Sequence, residues 1–209
     1  MLSFDEFFTA CAGFWTTERI YHYLPEGKLE RSYTEYRVTA LTPAERQQVL
    51  ATGSGDALEL DSDGDRTMPG FAIAFDTRSE TGETVSMQLR ALFVPDTIVR
   101  SSRLPSPTVL PLAAQMPLDL SGDLIQGFYL RDEGYSEQGA IAGRFTYQIT
   151  RQTLEMTTYY RRSVAVDQMR LISPNTRLRT IVTYRRPETD QQTPTDITLI
   201  GFGVEHKQG

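Results

Sequence analysis

From Gly70 onward the sequence consists almost entirely of short, alternating segments rich in β-branched and aromatic residues, with turn residues between them. Such segments predict β-strands. The strand candidates here are Gly70–Asp76, Thr84–Val94, Thr97–Ser101, Leu124–Arg131, Ala140–Ile149, Thr153–Arg162, Val164–Ile172, Arg177–Arg185 and Thr195–Glu205. Two more candidates precede them, at Gly13–Leu24 and Leu29–Leu41. About ten strands at this spacing, after one helix, predict an all-β fold, a closed antiparallel barrel.

Two segments near the start of the chain predict helices. The first runs from Ser3, a plausible N-cap, to about Gly13. Its apolar residues share one face that must cover part of the barrel: Phe4, Phe7, Phe8 and Cys11. The second helix, Pro43–Leu50, has Thr42 as its cap.

No repeat or linker divides the 209 residues, so we expect one domain over 1–209. The segment Ser102–Met116 is a Pro-rich connection without a pattern. The acidic loop Asp61–Asp65 does not fit a calcium loop, because the positions that require glycine and glutamate hold Arg66 and Ala72. We therefore expect no metal site.

Charge and composition exclude several classes of protein. The net charge of −6, with no basic block, argues against nucleic-acid binding. No apolar run approaches the ~20 residues of a membrane-spanning helix. The N-terminal segment carries acidic residues where a signal peptide has basic ones, and the single cysteine excludes an internal disulfide. These features indicate a cytosolic protein.

The sequence lacks the usual residues of hydrolytic or metal catalysis. It has two histidines, His22 and His206, and no nucleophile elbow, Walker loop or Cys/His cluster. Cys11 has no basic neighbour in the sequence to stabilise a thiolate, so we interpret it as a core residue. The protein is therefore either a binding barrel or an enzyme whose substrates supply the reactive groups.

Two strands carry residues suited to an anionic ligand. Alternation places Arg177 and Arg179 on one face, and paired guanidinium groups suit carboxylates or phosphates. On Gly13–Leu24 the same periodicity groups an arginine with aromatic residues: Trp15, Thr17, Arg19, Tyr21 and Tyr23. Such a face suits the wall of a pocket for a flat anion. Solvated arginines, and a core strand with one snorkelling arginine, remain alternatives.

Four segments, in this order, resemble the S-type (CpcS/CpeS) phycobiliprotein lyases of cyanobacteria and algal plastids. They are Gly13-Phe-Trp-Thr-Thr-Glu-Arg19 with His22, Leu29-Glu-Arg-Ser-Tyr-Thr-Glu-Tyr-Arg37, Gly134-Tyr-Ser-Glu137 and Ser173-Pro-Asn-Thr-Arg-Leu-Arg179. The resemblance extends from the N-terminal helix to about Arg185. It implies a lipocalin-like or fatty-acid-binding-protein-like barrel, in agreement with the strand count.

The resemblance also implies a function. Such lyases bind a linear tetrapyrrole (a bilin such as phycocyanobilin) and attach it through a thioether to a cysteine of a phycobiliprotein subunit, without a cofactor of their own. By motif, the substrate-binding residues would be Trp15, Arg19, Tyr21, Asn175, Arg177 and Arg179. The catalytic candidates are Asp167, facing the pyrrole nitrogens, with Glu137 in reserve, and His22. We expect Arg177 and Arg179 to respond alike to mutation.

The resemblance implies a bilin and an apo-phycobiliprotein subunit as partners, in the cyanobacterial cytosol or the plastid stroma. It leaves open whether a partner lyase or a homodimer is needed. Two other functions remain open from the sequence: a carrier barrel for a fatty acid or other hydrophobic anion, and an interaction protein whose barrel is filled with side chains.

Overall fold

The structure, a computed structural model, describes residues 1–61, 68–104, 109–114, 123–135 and 137–209. Beyond Asp61, the acidic loop discussed above lies outside these ranges, as does part of the Pro-rich connection. Within the described ranges, no helix has the length and apolar character needed to cross a membrane.

Ten strands of the described chain close into an antiparallel barrel, which confirms the predicted fold. The barrel strands are β1 Gly13–Tyr23, β2 Lys28–Ala40, β4 Gly70–Ser79, β5 Thr84–Pro95, β7 Leu124–Arg131, β8 Ile141–Gln148, β9 Thr153–Tyr159, β10 Ser163–Ser173, β11 Thr176–Arg185 and β12 Ile197–Gln208. Neighbouring strands follow the order β1-β12-β11-β10-β9-β8-β7-β5-β4-β2, and β2 pairs with β1 to complete the ring.

One predicted strand lies outside the barrel. The candidate Thr97–Ser101 corresponds to a short 3-10 turn, Asp96–Ile98, followed by β6, Val99–Ser102. β6 pairs with β3, Leu58–Leu60, in a separate two-stranded sheet. The alternating pattern identified a strand here but could not identify its partner. A further 3-10 turn, Leu112–Ala114, interrupts the Pro-rich connection.

The N-terminal helix α1, Phe4–Cys11, packs against the inner surface of the barrel. A capping box begins it, in which Ser3 Oγ accepts from the Glu6 backbone N–H and the Glu6 carboxylate accepts from the Ser3 N–H. The apolar residues predicted to share one face are all buried: Phe4, Phe7, Phe8 and Cys11. They contact lumen-facing rings of β5 and β8, including Phe93 and Phe145. Burial of each phenylalanine contributes roughly 1.5–3 kcal/mol.

The second helix, α2, packs on the outside of the barrel. It covers Pro43–Ser54, one turn longer than predicted, and begins at a capping box made by Thr42 and Glu45. Val49 is fully buried, in a cluster with outward-facing Leu92 and Leu130. The two helices therefore pack on opposite surfaces of the barrel wall, α1 on the inner and α2 on the outer surface.

A buried carboxyl group on the outer face of β9 gives a prediction about pH. Burial raises the pKa of Glu155 to about 7, and the one side chain that hydrogen-bonds it in the described structure is the neutral Gln168, at 2.7 Å. Because the folded-state pKa lies above the unfolded value, Glu155 contributes stability below about pH 4.5 that is lost as the pH rises through about 7. Once Glu155 is ionised, the free energy of unfolding is about 3 kcal/mol lower than with the protonated group.

We therefore expect Glu155→Gln to leave stability nearly unchanged at pH 4.5 and to raise it by up to about 3 kcal/mol at pH 8. Urea unfolding of both proteins at the two pH values measures this. An equal effect of the substitution at pH 4.5 and pH 8 would contradict the burial argument.

Candidate functional site

The lumen brings together most of the residues predicted to bind a ligand. Registers between neighbouring strands place Trp15, Arg19 and Tyr21 of β1 on the inner face. Arg177 and Arg179 of β11 lie on the same face, two strands away across β12. Asp167 of β10 also faces inward, so six predicted site residues share the lumen: Trp15, Arg19, Tyr21, Asp167, Arg177 and Arg179.

Glu205 of β12, a residue the sequence reasoning missed, is the centre of the charged group. Its carboxylate is fully buried and accepts from Arg177 Nε and Arg179 Nε, each at 2.9 Å. A third arginine, Arg19, donates to it from 3.3 Å. We call these four residues together with Asp167 the lumenal charge cluster. Three guanidinium groups against two carboxylates leave one positive charge in excess.

The surrounding arginines determine the ionisation of Glu205. Burial alone would raise its pKa, but Arg179, Arg177 and Arg19 outweigh burial and lower the pKa to about 2. Glu205 is therefore a carboxylate at neutral pH. It stabilises the three arginines, which would otherwise repel one another: Arg177 and Arg179 lie on β11 and Arg19 on β1, with Glu205 on β12 between the two strands.

Arg177 is the most enclosed arginine of the cluster. Its side chain is 1% exposed, and its guanidinium carbon lies 3.9 Å from the centre of the Trp15 ring. Arg177 Nη2 donates to the Tyr36 hydroxyl at 2.6 Å. Its charge is thus met by Glu205, by a hydroxyl and by an aromatic face, which is the environment of a structural ion pair.

Arg179, Asp167 and Arg19 are the partly exposed members of the lumenal charge cluster. Their side chains are 12%, 21% and 18% exposed. Arg179 Nη1 donates to Asp167 Oδ2 at 2.6 Å, whereas Asp167 Oδ1 and Arg19 Nε are buried atoms without a hydrogen-bond partner in the described structure. A ligand in the lumen could satisfy both atoms, because they carry opposite hydrogen-bonding requirements.

Two glycines of β12 make room for these side chains. Gly203 lies opposite both Arg19 and Arg179 in the register, and a Cβ there would fall 3.1 Å from Arg19 Cγ and 2.8 Å from the Glu18 carbonyl oxygen. A Cβ at Gly201 would fall 2.8 Å from the Tyr21 ring. The inner face of β12 therefore presents Glu205 as its charged group, and its two glycines let Arg19 and Tyr21 approach the strand closely.

Tyr135, in the loop between β7 and β8, extends towards the lumen. Its ring lies 6.0 Å from Phe75 of β4, and the residue is 51% exposed. Although half of the residue is exposed, desolvation of the phenol raises its pKa, and the charges of Arg131, Arg179 and Asp167 also act on it. The loop thus brings an aromatic ring close to the lumenal charge cluster.

Three predicted site residues lie elsewhere. His22 is exposed on the outer face of β1, with its ring 6.1 Å from Phe202, because an even position on this strand points away from Trp15 and Arg19. Asn175 is exposed in the turn between β10 and β11, where its carbonyl accepts from the Lys207 N–H at 3.0 Å. Glu137 accepts from the Arg161 backbone N–H at 2.6 Å and so fixes the neighbouring turn.

Two of the three site residues that were not predicted from the sequence have sequence features that could have identified them. Glu205 follows Gly201 and Gly203 at a spacing of two, on a strand that was predicted, and several inward arginines require a carboxylate. Tyr36 lies on the most clearly alternating strand, and it pairs with Trp15 across β1 and β2. Tyr135 had no periodic signal, because it lies in a loop.

Comparison with known proteins identifies the family. The sequence model of the CpeS-like protein family matches residues 3–102 and 113–208. Chromophore lyase CpcS/CpeS 1 of Synechococcus sp. (strain JA-3-3Ab) is 39% identical over 204 residues, which cover 98% of this chain and 96% of that protein. The solved structure of the S-type phycobiliprotein lyase CPES from Guillardia theta superposes with a TM-score of 0.65 at 14% identity, covering 100% of this chain and 94% of that one, and so shares the fold. The chain belongs to the CpeS-like family.

Proposed function

We propose that this protein is a bilin lyase. It binds a linear tetrapyrrole in the lumen and presents it to a cysteine of a phycobiliprotein subunit, where a thioether forms. Membership of the CpeS-like family and 39% identity to a protein named as a chromophore lyase support this proposal. The observation that carries it in the structure is the partly exposed set Arg19, Asp167 and Arg179 on the inner wall.

The proposed reaction needs no nucleophile from this chain. The thiolate of the client cysteine adds to the ethylidene group of the bilin, so that a carbon–sulfur bond forms as the carbon–carbon π bond breaks. The thiol proton is returned to the tetrapyrrole, and there is no leaving group and no net oxidation. The lyase contributes binding in one orientation and exclusion of bulk water.

The lumenal side chains have complementary roles in this proposal. Arg19 and Arg179 pair with a propionate of the bilin through charge-assisted hydrogen bonds. Asp167, with Oδ1 unpartnered, accepts from the pyrrole N–H groups and favours their protonated form. Trp15 and Tyr21 form part of the aromatic wall. A simple fatty-acid carrier would gain nothing from Asp167, since a carboxylate beside the arginines competes with the ligand.

Absorption spectroscopy with phycocyanobilin tests the proposal. We expect the wild-type protein to sharpen and red-shift the absorption of the bilin, and Asp167→Asn to reduce the red shift more than the affinity. Asp196→Asn is the matched control, because Asp196 is an exposed aspartate that also pairs with an arginine, Arg185, at the end of β11. Displacement of a fatty acid without any spectral change would favour the carrier function instead.

We expect Cys11 not to carry the pigment during transfer. The residue is 1% exposed on the buried face of α1, and burial raises the pKa of its thiol despite the nearby Arg177. Cys11→Ser should therefore leave transfer to the client nearly intact. Mass spectrometry of the lyase after reaction checks this, and covalent bilin on Cys11 together with loss of transfer in the variant would contradict it.

We place the reaction where antenna subunits mature, in the cyanobacterial cytosol or the plastid stroma. Co-expression with a bilin pathway and single phycobiliprotein subunits would identify the client. The same experiment, with size-exclusion chromatography of the lyase, tests whether a homodimer or a partner lyase takes part.

A further inference from the structure

Arg131, at the end of β7, is a buried arginine whose charge has no carboxylate partner in the described structure. Its exposure is 1%, and Nη2 donates to the Tyr160 hydroxyl at 2.6 Å. Three tyrosine rings surround the guanidinium group, with centroids 5.4 Å away for Tyr129, 4.5 Å for Tyr135 and 5.8 Å for Tyr160. Nε is buried without a hydrogen-bond partner.

The acidic residues that follow Arg131 in the sequence are engaged with other groups. Asp132 pairs with Arg90 at 3.4 Å. Glu133 accepts from the Gly139 N–H at 3.1 Å, and Glu137 accepts from the Arg161 N–H. The loop that carries three acids beside Arg131 therefore leaves the guanidinium charge unneutralised.

Arg131 differs in this respect from Arg177, which is equally buried. Arg177 has a carboxylate at 2.9 Å as well as its hydroxyl and aromatic partners. A buried arginine that only supports the fold is usually paired in this way, because an unpaired buried charge is costly. Residues that break such a rule are concentrated at functional sites, where a ligand supplies the missing partner.

Arg131 also belongs to the lumen. Alternation on β7 places it on the same face as Tyr129, which packs against lumen-facing Phe93. Tyr135, which lies over the guanidinium group, is the ring that extends towards the lumenal charge cluster, and its phenol is influenced by both Arg131 and Asp167. A ligand that displaces or slides past the half-exposed Tyr135 would reach Arg131.

The charge balance of the lumen points to the ligand. The lumenal charge cluster has one positive charge in excess, and Arg131 adds a second. Lys207, near Trp15, donates to the Ala10 carbonyl at the C-terminal end of α1 and is not part of this group. Two unneutralised guanidinium charges at two places complement a ligand with two carboxylates.

We propose that Arg131 is a second carboxylate subsite, so that the lumen selects a dicarboxylate with one carboxylate at Arg19 and Arg179 and the other at Arg131. This inference rests on the proposed function, since a bilin carries two propionates. It adds a site, formed by Arg131, Tyr135 and Tyr160, that would distinguish the diacid from its esters and from monocarboxylates.

The test compares a dicarboxylate with its ester in matched variants. Wild-type protein, Arg131→Met and Arg144→Met are titrated with phycocyanobilin and its dimethyl ester, and with hexadecanedioic acid and its monomethyl ester. Arg144 is the control because it also lies over an aromatic ring, Phe128, but is on the outer face and pairs with Asp96. Arg131→Gln, which also removes the charge but can still hydrogen-bond the Tyr160 hydroxyl, is used as well in case the methionine variant folds poorly.

We expect the wild-type protein and Arg144→Met to prefer the diacids to the esters, and Arg131→Met to lose about 30-fold or more of that preference. The urea midpoint of the unliganded Arg131→Met protein should be unchanged or higher, since an unpaired buried charge has been removed.

Three results would overturn the inference. The first is an unchanged preference for the diacid in Arg131→Met or Arg131→Gln, which would make Arg131 a structural cation. The second is equal wild-type affinity for diacid and ester, which would leave the bilin lyase proposal intact. The third is the absence of any binding of hexadecanedioic acid and bilin. Failure of bilin binding alone would instead count against the proposed function.

Discussion

Replacing Glu205 with glutamine is expected to lower the free energy of unfolding by about 3–5 kcal/mol, because the change leaves buried arginines without their counter-charge. Arg177 and Arg179 each donate to Glu205 from 2.9 Å, and Arg19 does so from 3.3 Å. The Glu205 side chain has no exposed surface, so water cannot solvate the arginines in place of the lost carboxylate. The loss is a large fraction of the ~5–15 kcal/mol that stabilise a typical domain.

The pKa of Glu205 gives this prediction a pH dependence. Because its folded-state pKa is lowered to about 2, its contribution is present above the usual value of about 4.5 and is lost as the pH falls towards 2. The difference between wild type and Glu205→Gln should therefore be full at pH 8 and shrink below pH 4.5.

Glu155→Gln is the matched control for Glu205→Gln. Both glutamates are at most 2% exposed and both face a neighbouring strand, but in the described structure Glu155 has an uncharged hydrogen-bond partner whereas Glu205 has three arginines. At pH 8, Glu155→Gln should raise the free energy of unfolding of the protein and Glu205→Gln should lower it. Urea unfolding measures both.

Adding Arg177→Met to Glu205→Gln should restore part of the stability, since it removes one of the buried arginines that Glu205→Gln leaves without a carboxylate partner. Equal, small effects of the two glutamine substitutions would contradict the assignment of Glu205 as the centre of the cluster.

Period-two alternation could predict much of the inner wall from the sequence. Once Gly13–Tyr23 is a strand, Trp15, Arg19 and Tyr21 must share a face, and the large aromatic residues on that face favour the lumen over the outer surface. The same argument joins Arg177 to Arg179. These predictions hold because side-chain direction in a strand is local and independent of which strands become neighbours.

The parts of the site that could not be predicted from the sequence depend on which strands pair with one another or on the path of a loop. The strand containing Glu205 was predicted, but its place between β1 and β11 is set by pairings far apart in the chain. Tyr135 reaches the lumen from a loop, where no periodicity applies. His22 was assigned by resemblance, although alternation alone places it on the opposite face from Arg19.

Arg177 and Arg179 are expected to separate in function, although the sequence suggested that they would respond alike. They share a face, but Arg177 is enclosed by Trp15 and Tyr36, whereas Arg179 is 12% exposed beside Asp167. Arg179→Gln and Arg19→Gln should each weaken bilin binding by about 30-fold or more, the effect of removing one partner from a partly desolvated charged pair. Arg177→Met should act mainly on stability, at about 3–5 kcal/mol.

Bilin titration and urea unfolding of the same three variants measure this separation, with Arg185→Gln as control because Arg185, the last residue of the same strand, is 67% exposed and pairs with the exposed Asp196. The control should change neither quantity, since solvated ion pairs contribute under ~1 kcal/mol. The burial argument requires affinity and stability to fall in different variants. If Arg177→Met and Arg179→Gln lost both in the same proportion, Glu205 would couple the two arginines into one unit, and the exposed edge of Arg179 would have no separate role in binding.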